Sequence, residues 1–203
     1  MQYAGVVLAY ILGSTPFAYF AGRLLKGIDL RQHGSGNLGA TNVFRTLGAP
    51  AGVTVFVLDA LKGALPVLLF PGLFGGAETM WWPIVYGLFA IVGHVRPYAG
   101  LFKGGGKGVA TAGGVFAALA PIPFAISIAC FALVVMATRY VSLGSLTAGV
   151  VLTVTLLATR GFTSPVTWVA LAVCGFVFWT HRANISRLRE GTESRIGRPK
   201  PAA

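Results

Sequence analysis

Residues 109–138 read VATAGGVFAALAPIPFAISIACFALVVMAT, a run of 30 positions without a charge. A helix needs roughly 20 apolar residues to cross the hydrocarbon core of a bilayer, so this run is too long for one crossing. Pro121-Ile122-Pro123 stands near its middle. Proline lacks an amide donor and pushes the residue before it out of helical geometry, which predicts a tight turn with a short helix on each side. The pattern repeats outward. Met1 to Gly22 carries no charge, Pro50 to Phe70 is interrupted only by Asp59 and Lys62, and Met80 to Val95 is a shorter apolar segment. Val141 to Thr159 and Phe162 to Thr180 complete the set. The expectation is an all-α polytopic membrane protein with about seven transmembrane helices, a single integral membrane domain over residues 1–203.

Composition agrees. Only 10% of the chain is charged and 55% is hydrophobic, whereas soluble domains carry about 25% charge. The 28 glycines suit helices that approach closely in lipid. The net charge of +11 would point to nucleic acid in a soluble protein, but here the basic residues sit in short loops between apolar runs. They set topology instead. Arg23, Lys26, Arg31 and Arg45 fall on one side, with Arg96, Lys103, Lys107, Arg139 and the tail residues Arg182, Arg187, Arg189, Arg195, Arg198 and Lys200. The other side holds only Arg160. The positive-inside rule therefore predicts a periplasmic N-terminus and a cytoplasmic C-terminus. The uncharged start reads as a retained first helix. Cys130 and Cys174 lie in apolar runs, where thiols are inert, so neither is expected to be a nucleophile, a metal ligand or a disulfide partner. No cofactor is expected.

Three polar stretches interrupt the apolar pattern, all on the predicted cytoplasmic side. The first is Gly34-Ser35-Gly36-Asn37-Leu38-Gly39-Ala40-Thr41-Asn42, followed by Arg45. Closely spaced glycines let backbone N–H groups converge on an anion, and a helix start adds its positive dipole end. Ser35, Asn37, Thr41 and Asn42 supply neutral donors and Arg45 a fork suited to phosphate. The second is Lys103-Gly104-Gly105-Gly106-Lys107-Gly108-Val109-Ala110-Thr111, again glycines and lysines abutting a helix start. It is not a nucleotide-binding P-loop, because Lys107 is followed by Gly108 instead of Ser or Thr. The third runs from His181 to Glu193, with His181 and Asn184 three residues apart and so on one helix face. Asp59 and Lys62 share a spacing of three inside an apolar span, where an unpaired charge is expensive, and read as a structural ion pair. His94 ends the third apolar segment beside the second glycine loop.

These stretches, in this order, resemble the acyl-phosphate-dependent glycerol-3-phosphate acyltransferase family of bacteria, the PlsY type. Gly34 to Asn42 with Arg45 look like its first motif, Gly104 to Thr111 its second, and His181-Arg182-Ala183-Asn184-Ile185 with Arg187, Leu188, Gly191 and Glu193 its third. Asp59, Lys62, Gly63, Ser142 and Leu143 also fit. Two departures stand out. The family has two glycines between Lys103 and Lys107 where this chain has three, and an aromatic where this chain has Arg96.

The resemblance implies seven membrane helices in the bacterial inner membrane with the active site facing the cytoplasm. It implies attack by the 1-hydroxyl of glycerol 3-phosphate on an acyl phosphate. The products are lysophosphatidic acid and inorganic phosphate, in the first acylation of phospholipid synthesis. A catalytic role for Ser35, His181 and Asn184 follows from it. Substrate binding falls to Gly34, Gly36, Asn37, Gly39, Thr41, Asn42, Arg45, Lys103, Gly104, Gly105, Gly106, Lys107, Gly108, Thr111 and Ser142. Asp59, Lys62 and Glu193 are structural. Two phosphorylated substrates account for two glycine loops, although which loop meets which phosphate stays open. So does the proton acceptor, either His181 or an oxygen of the acyl phosphate. Membrane lipids are expected neighbours, and transient contact with a soluble enzyme that makes acyl phosphate is left open. The CoA-dependent acyltransferases carry His-x-x-x-x-Asp, which none of His33, His94 and His181 begins. The alternative from another class is a small membrane transporter of an anionic phosphate compound.

Overall fold

The computed structural model describes residues 1–100 and 102–197. Arg198 and Lys200, counted above with the basic tail, lie outside the described residues. Among those described there are ten α-helices and no strand. They are α1 (Gln2–Ser14), α2 (Phe17–Lys26), α3 (Ala40–Leu47), α4 (Ala49–Phe74), α5 (Trp81–Val95), α6 (Val109–Leu119), α7 (Pro121–Thr138), α8 (Val141–Arg160), α9 (Pro165–Thr180) and α10 (Arg182–Arg189). The helices pack as two compact units, Met1–Ala120 and Pro121–Ala203.

Four segments are long and apolar enough to cross a membrane: Gln2–Lys26, Ala49–Phe74, Pro121–Thr138 and Val141–Arg160. The pair α9 and α10, bent by 59°, makes a fifth. Helices α5 and α6 are apolar but shorter. At 1.5 Å per residue α6 reaches roughly 16 Å, about half of a hydrocarbon core.

Proline writes the breaks. The uncharged run 109–138 ends its first helix at Leu119, and Ala120, ahead of Pro121, is non-helical with φ −151° and ψ 71°. The same rule acts at a place the apolar pattern hides. Thr15 precedes Pro16 and is extended, so the expected first helix is two, α1 and α2. Pro66 and Pro71 behave differently and lie within α4, which runs on to Phe74 instead of ending at Phe70. Membrane helices tolerate internal proline where neighbours satisfy the freed backbone groups.

In the first unit α1 packs on α5, and α4 packs on α6, α3 and α5. Gly63 faces the backbone of Thr111, and Gly114 faces that of Ala60, so α4 and α6 approach too closely for a side chain at either glycine. Ala18, Leu30, Leu38, Val43 and Val55 form a small core that anchors the segment between α2 and α3. In the second unit the two-residue connection Arg139-Tyr140 turns α7 back along α8, which packs in turn on α9. The described tail returns to that turn. The Ile196 N–H donates to the Arg139 carbonyl at 2.9 Å, and Arg195 lies over the Tyr140 ring at 4.9 Å. Leu68, Leu69 and Leu73 on α4, and Leu133 and Met136 on α7, are exposed, as a lipid-facing surface requires.

Candidate functional site

The first polar stretch lies between α2 and α3. It is braced by a residue that sequence reasoning passed over, Asp29. The buried Asp29 carboxylate accepts the backbone N–H of Arg31 at 3.0 Å and its Nε–H at 3.0 Å, and Arg23 stands 3.5 Å away. The hydrogen bonds from the Arg31 side chain outweigh burial and hold the Asp29 pKa down at about 2. The Arg31 guanidinium also lies over the rings of Tyr19 and Phe102, at 5.1 and 4.8 Å.

The loop itself is shaped by Asn42, in the first turn of α3. Its Oδ1 accepts the Ser35 N–H at 2.9 Å, and its Nδ2 donates to the carbonyls of His33 at 3.0 Å and Leu30 at 3.2 Å. Gly34 sits against this side chain with φ +64°, and a β-carbon there would overlap Asn42 Oδ1, so only glycine serves. Asn42 was expected among the phosphate contacts. Its two N–H donors are instead spent on the loop's own carbonyls, which makes it the loop's clamp. Ser35 is exposed, Gly36, Asn37 and Thr41 are half-buried, and Gly39 caps the start of α3. Arg45 is exposed one turn beyond Thr41, on the same helical face. Lys26 Nζ donates to the Thr46 carbonyl at 2.9 Å, a cation at the negative end of α3.

The second glycine loop adjoins the first. Arg31 Nη1 donates to the Lys103 carbonyl at 3.1 Å, and Asn37 Nδ2 to the Gly105 carbonyl at 3.4 Å. Gly106 N–H donates to the His94 carbonyl at 3.2 Å, and Gly108 caps α6. Lys103 and Gly104 are exposed, and Gly105 and Lys107 half-buried. Thr111, expected to bind substrate, is fully buried against Gly63, and its Oγ1 has no hydrogen-bond partner there among the described residues. Beneath the loops Lys62 Nζ stands 2.7 Å from Asp59 Oδ1 and donates to the Thr15 carbonyl at 2.8 Å. This ion pair ties α4 to the break between α1 and α2.

The second unit carries the third stretch. Glu193 gathers it: its Oε1 accepts Ser142 Oγ–H at 2.8 Å and Asn184 Nδ2–H at 2.6 Å, while Oε2 accepts Arg187 Nε–H at 2.7 Å. Burial opposes ionisation of Glu193, but the bonds from Asn184, Arg187 and Ser142 outweigh it and hold the carboxyl below its ordinary pKa. Buried His181 sits at the bend between α9 and α10, with Nδ1 2.8 Å from the Val177 carbonyl. A carbonyl only accepts, so Nδ1 carries the proton and the basic atom of the neutral ring is Nε2.

Chemically, the first unit presents two adjoining glycine loops, each leading into a helix start, with Arg45, Lys103 and Lys107 alongside. Such a surface suits anionic oxygens. Among the described residues no group of His, Cys, Asp or Glu forms a metal site.

The family model for glycerol-3-phosphate acyltransferase matches residues 3–191. The chain belongs to the glycerol-3-phosphate acyltransferase family. It is 45% identical over 196 residues to the glycerol-3-phosphate acyltransferase of Geobacillus kaustophilus (strain HTA426), covering 96% of this chain and 95% of the relative. It is 45% identical over 188 residues to glycerol-3-phosphate acyltransferase 3 of Bacillus anthracis, covering 92% and 91%. The crystal structure of PlsY (YgiH), an integral membrane glycerol 3-phosphate acyltransferase, in its glycerol 3-phosphate form superposes with a TM-score of 0.86 at 41% identity. That match covers 97% of this chain and 96% of the other. The lysophosphatidic acid form of PlsY gives a TM-score of 0.85 at 39% identity, covering 97% and 95%. The resemblance read from the three polar stretches is thus borne out, and this family member is a multi-pass membrane acyltransferase. Sequence reasoning missed Asp29 and counted Arg31 only as a topology signal. The available clue was an aspartate, one of only five acidic residues in the chain, set two positions before an arginine at the edge of the glycine loop.

Proposed function

We propose that this acyltransferase moves an acyl group from acyl phosphate to the 1-hydroxyl of glycerol 3-phosphate at the cytoplasmic face of the bacterial inner membrane. The hydroxyl oxygen attacks the acyl carbonyl carbon and the carbon–oxygen bond to phosphate breaks. Inorganic phosphate leaves with that electron pair, and lysophosphatidic acid remains. The hydroxyl proton passes to His181 Nε2 or to an oxygen of the departing phosphate. Acyl phosphate is a mixed anhydride, so no covalent enzyme intermediate is needed. Positioning of the two reactants supplies the rate, up to roughly 7–11 kcal/mol in well-oriented model systems.

The observation that carries this reading is the adjacency of the two glycine loops, joined through Arg31 to Lys103 and Asn37 to Gly105. Two phosphorylated substrates need two anion cradles side by side. In this scheme the first loop, with Ser35, Asn37 and Thr41, and the second, with Lys103 and Lys107, each take one phosphate, and Arg45 neutralises glycerol 3-phosphate. In the second unit, His181 and Asn184 take the catalytic roles and Ser142 a substrate-binding one, with Ser142 and Asn184 ordered by Glu193. We read seven crossings: α1 with α2, then α4, α5, α6, α7, α8 and α9. The N-terminus is periplasmic and the C-terminus cytoplasmic. Support comes from the basic residues outside the Asp59–Lys62 pair, which fall from the last turn of α2 to Arg45, between α5 and α6, at Arg139 and after α9, with Arg160 alone opposite.

Purified protein in detergent, given glycerol 3-phosphate with palmitoyl phosphate or palmitoyl-CoA, tests the proposal. Stoichiometric phosphate and lysophosphatidic acid from palmitoyl phosphate alone are expected. Product from palmitoyl-CoA, or none from palmitoyl phosphate, overturns the choice of donor.

A further inference from the structure

Three buried polar side chains lie under the second glycine loop in the first unit: Asp59, Lys62 and His94. The scheme above gives His94 no task, yet its imidazole occupies the space that a side chain at Gly106 would need. Gly106 is buried against it. A β-carbon at residue 106 would overlap His94 Nε2 and would lie 2.6 Å from Cε1 and 3.0 Å from Cδ2. The three nearest obstacles are therefore atoms of one ring. The Gly106 backbone has no positive φ, so nothing in its conformation demands glycine. What demands it is the histidine.

The ring stands beside a buried ion pair. Its Nδ1 faces Asp59 Oδ1 at 3.6 Å, beyond hydrogen-bond distance, and the same oxygen meets Lys62 at 2.7 Å. Lys62 is fixed in turn by the Thr15 carbonyl. Backbone adds a second tie, Gly106 N–H to the His94 carbonyl. A recess of about 200 Å³, its mouth included, is lined by Asp59, Lys62, His94 and Gly104 to Gly106.

We propose that His94 is a positioning residue for substrate phosphate, acting through the loop: its imidazole, packed against Gly106 beside the Asp59–Lys62 pair, is the seat that fixes the course of residues 103–108. This rests on reading that loop as a phosphate cradle. His94 touches no substrate in this scheme. Its removal loosens the cradle and weakens binding of one phosphorylated substrate more than it slows turnover.

The test is a double-mutant cycle with Gly106→Ala, His94→Ala and both together, purified in detergent. Measured are melting temperature, hydrogen exchange of residues 103–108, kcat and the half-saturation for each substrate. His94→Ala is expected to speed exchange within 103–108 and to raise one half-saturation about tenfold, equivalent to 1.4 kcal/mol, with kcat held within about threefold. Gly106→Ala is expected to lose at least as much activity and to melt lower. The double variant is expected to be better than Gly106→Ala, because the ring that the methyl group meets is gone. If Gly106→Ala does not fold, recovery of folded protein in the double variant is the supporting result. Losses that simply add, a double variant no better folded than Gly106→Ala, or a His94→Ala defect confined to kcat overturn the proposal. Exchange and melting read the seat without catalysis. A wild-type protein inactive with acyl phosphate would therefore sink the functional reading while the rescue still judged the seat.

Discussion

Replacement of Glu193 separates what a buried carboxylate organises from what it merely neutralises. In the native protein it accepts from Ser142, Asn184 and Arg187 at 2.8, 2.6 and 2.7 Å, and the residue is 7% exposed. Glu193→Gln keeps the shape. With its carbonyl oxygen toward Ser142 and Asn184, its amide N–H2 faces the Arg187 donor, so one charge-assisted bond is lost, worth about 1.5–3 kcal/mol. Arg187 is 42% exposed and can turn to water, which puts the cost near the lower end. Glu193→Ala removes all three acceptor contacts and strands donors on buried Ser142 and Asn184, each costing about 1–3 kcal/mol. The expected order is therefore wild type above Gln above Ala, with Ala down by roughly 3–5 kcal/mol once partial relaxation is allowed for. Melting in detergent reads this as roughly 2–4 °C per kcal/mol for a chain of this size. The acid limb adds a second reading. The folded pKa of Glu193 lies below its ordinary 4.5, so its contribution is complete above that value and is lost as pH falls through the lowered one. Glu193→Gln should lose that part of the acid sensitivity. Equal melting of wild type and both variants at pH 7 would refute the view that Glu193 holds the Ser142 and Asn184 end of the site together.

Lys62→Ala leaves the Asp59 carboxylate buried without its close cation and should cost roughly 3–5 kcal/mol in thermal stability, whereas Asp59→Leu with Lys62→Met should cost much less. Asp29→Asn should weaken the brace that carries Arg31 to Lys103, raising half-saturation for a phosphorylated substrate. It should also remove a stabilisation that is complete above the ordinary carboxylate pKa of 3.8 and fades as pH falls toward about 2, measurable by melting across that window. Arg45→Ala should raise the half-saturation for glycerol 3-phosphate, and an unchanged value in steady-state assays would remove Arg45 from that task. His181→Ala and Ser35→Ala should each lower turnover with palmitoyl phosphate by at least about tenfold, with near-normal rates in both defeating the site assignment.

Proline shows how far the sequence could be read. Pro121 announced the end of α6, because a pre-proline residue avoids helical geometry and the run was too long for one span. Pro16 carried the same signal but stood in a run of ordinary span length, so the break between α1 and α2 went unread. Pro66 and Pro71 carried it too and broke nothing. A proline's effect depends on which neighbours take up the freed backbone groups, and that is a tertiary fact. The same division runs through the site. Which residues carry donors was legible, and so was their clustering with glycine. Where each donor points was not. Asn42 looked like a phosphate ligand by type and position, yet its partners are Leu30, His33 and Ser35. Thr111 looked like the end of a binding motif, yet the absence of a side chain at Gly63 draws α4 over it.

The contacts that give the site its shape join residues far apart in the chain. Arg31 and Lys103 are 72 positions apart, Asn37 and Gly105 are 68, and Ser142 and Glu193 are 51. Local spacing carries no trace of such pairs. In the second loop, with its extra glycine, three adjacent glycines are indistinguishable by sequence. In the folded chain Gly104 is exposed at φ +95°, Gly105 lies against the carbonyls of His94 and Val95, and Gly106 lies against the His94 ring. An alanine at each would therefore meet a different obstacle: backbone strain at 104, main chain at 105, a removable side chain at 106. Only the last can be relieved by a second substitution, so the loop's register is open to a genetic answer as well as a structural one.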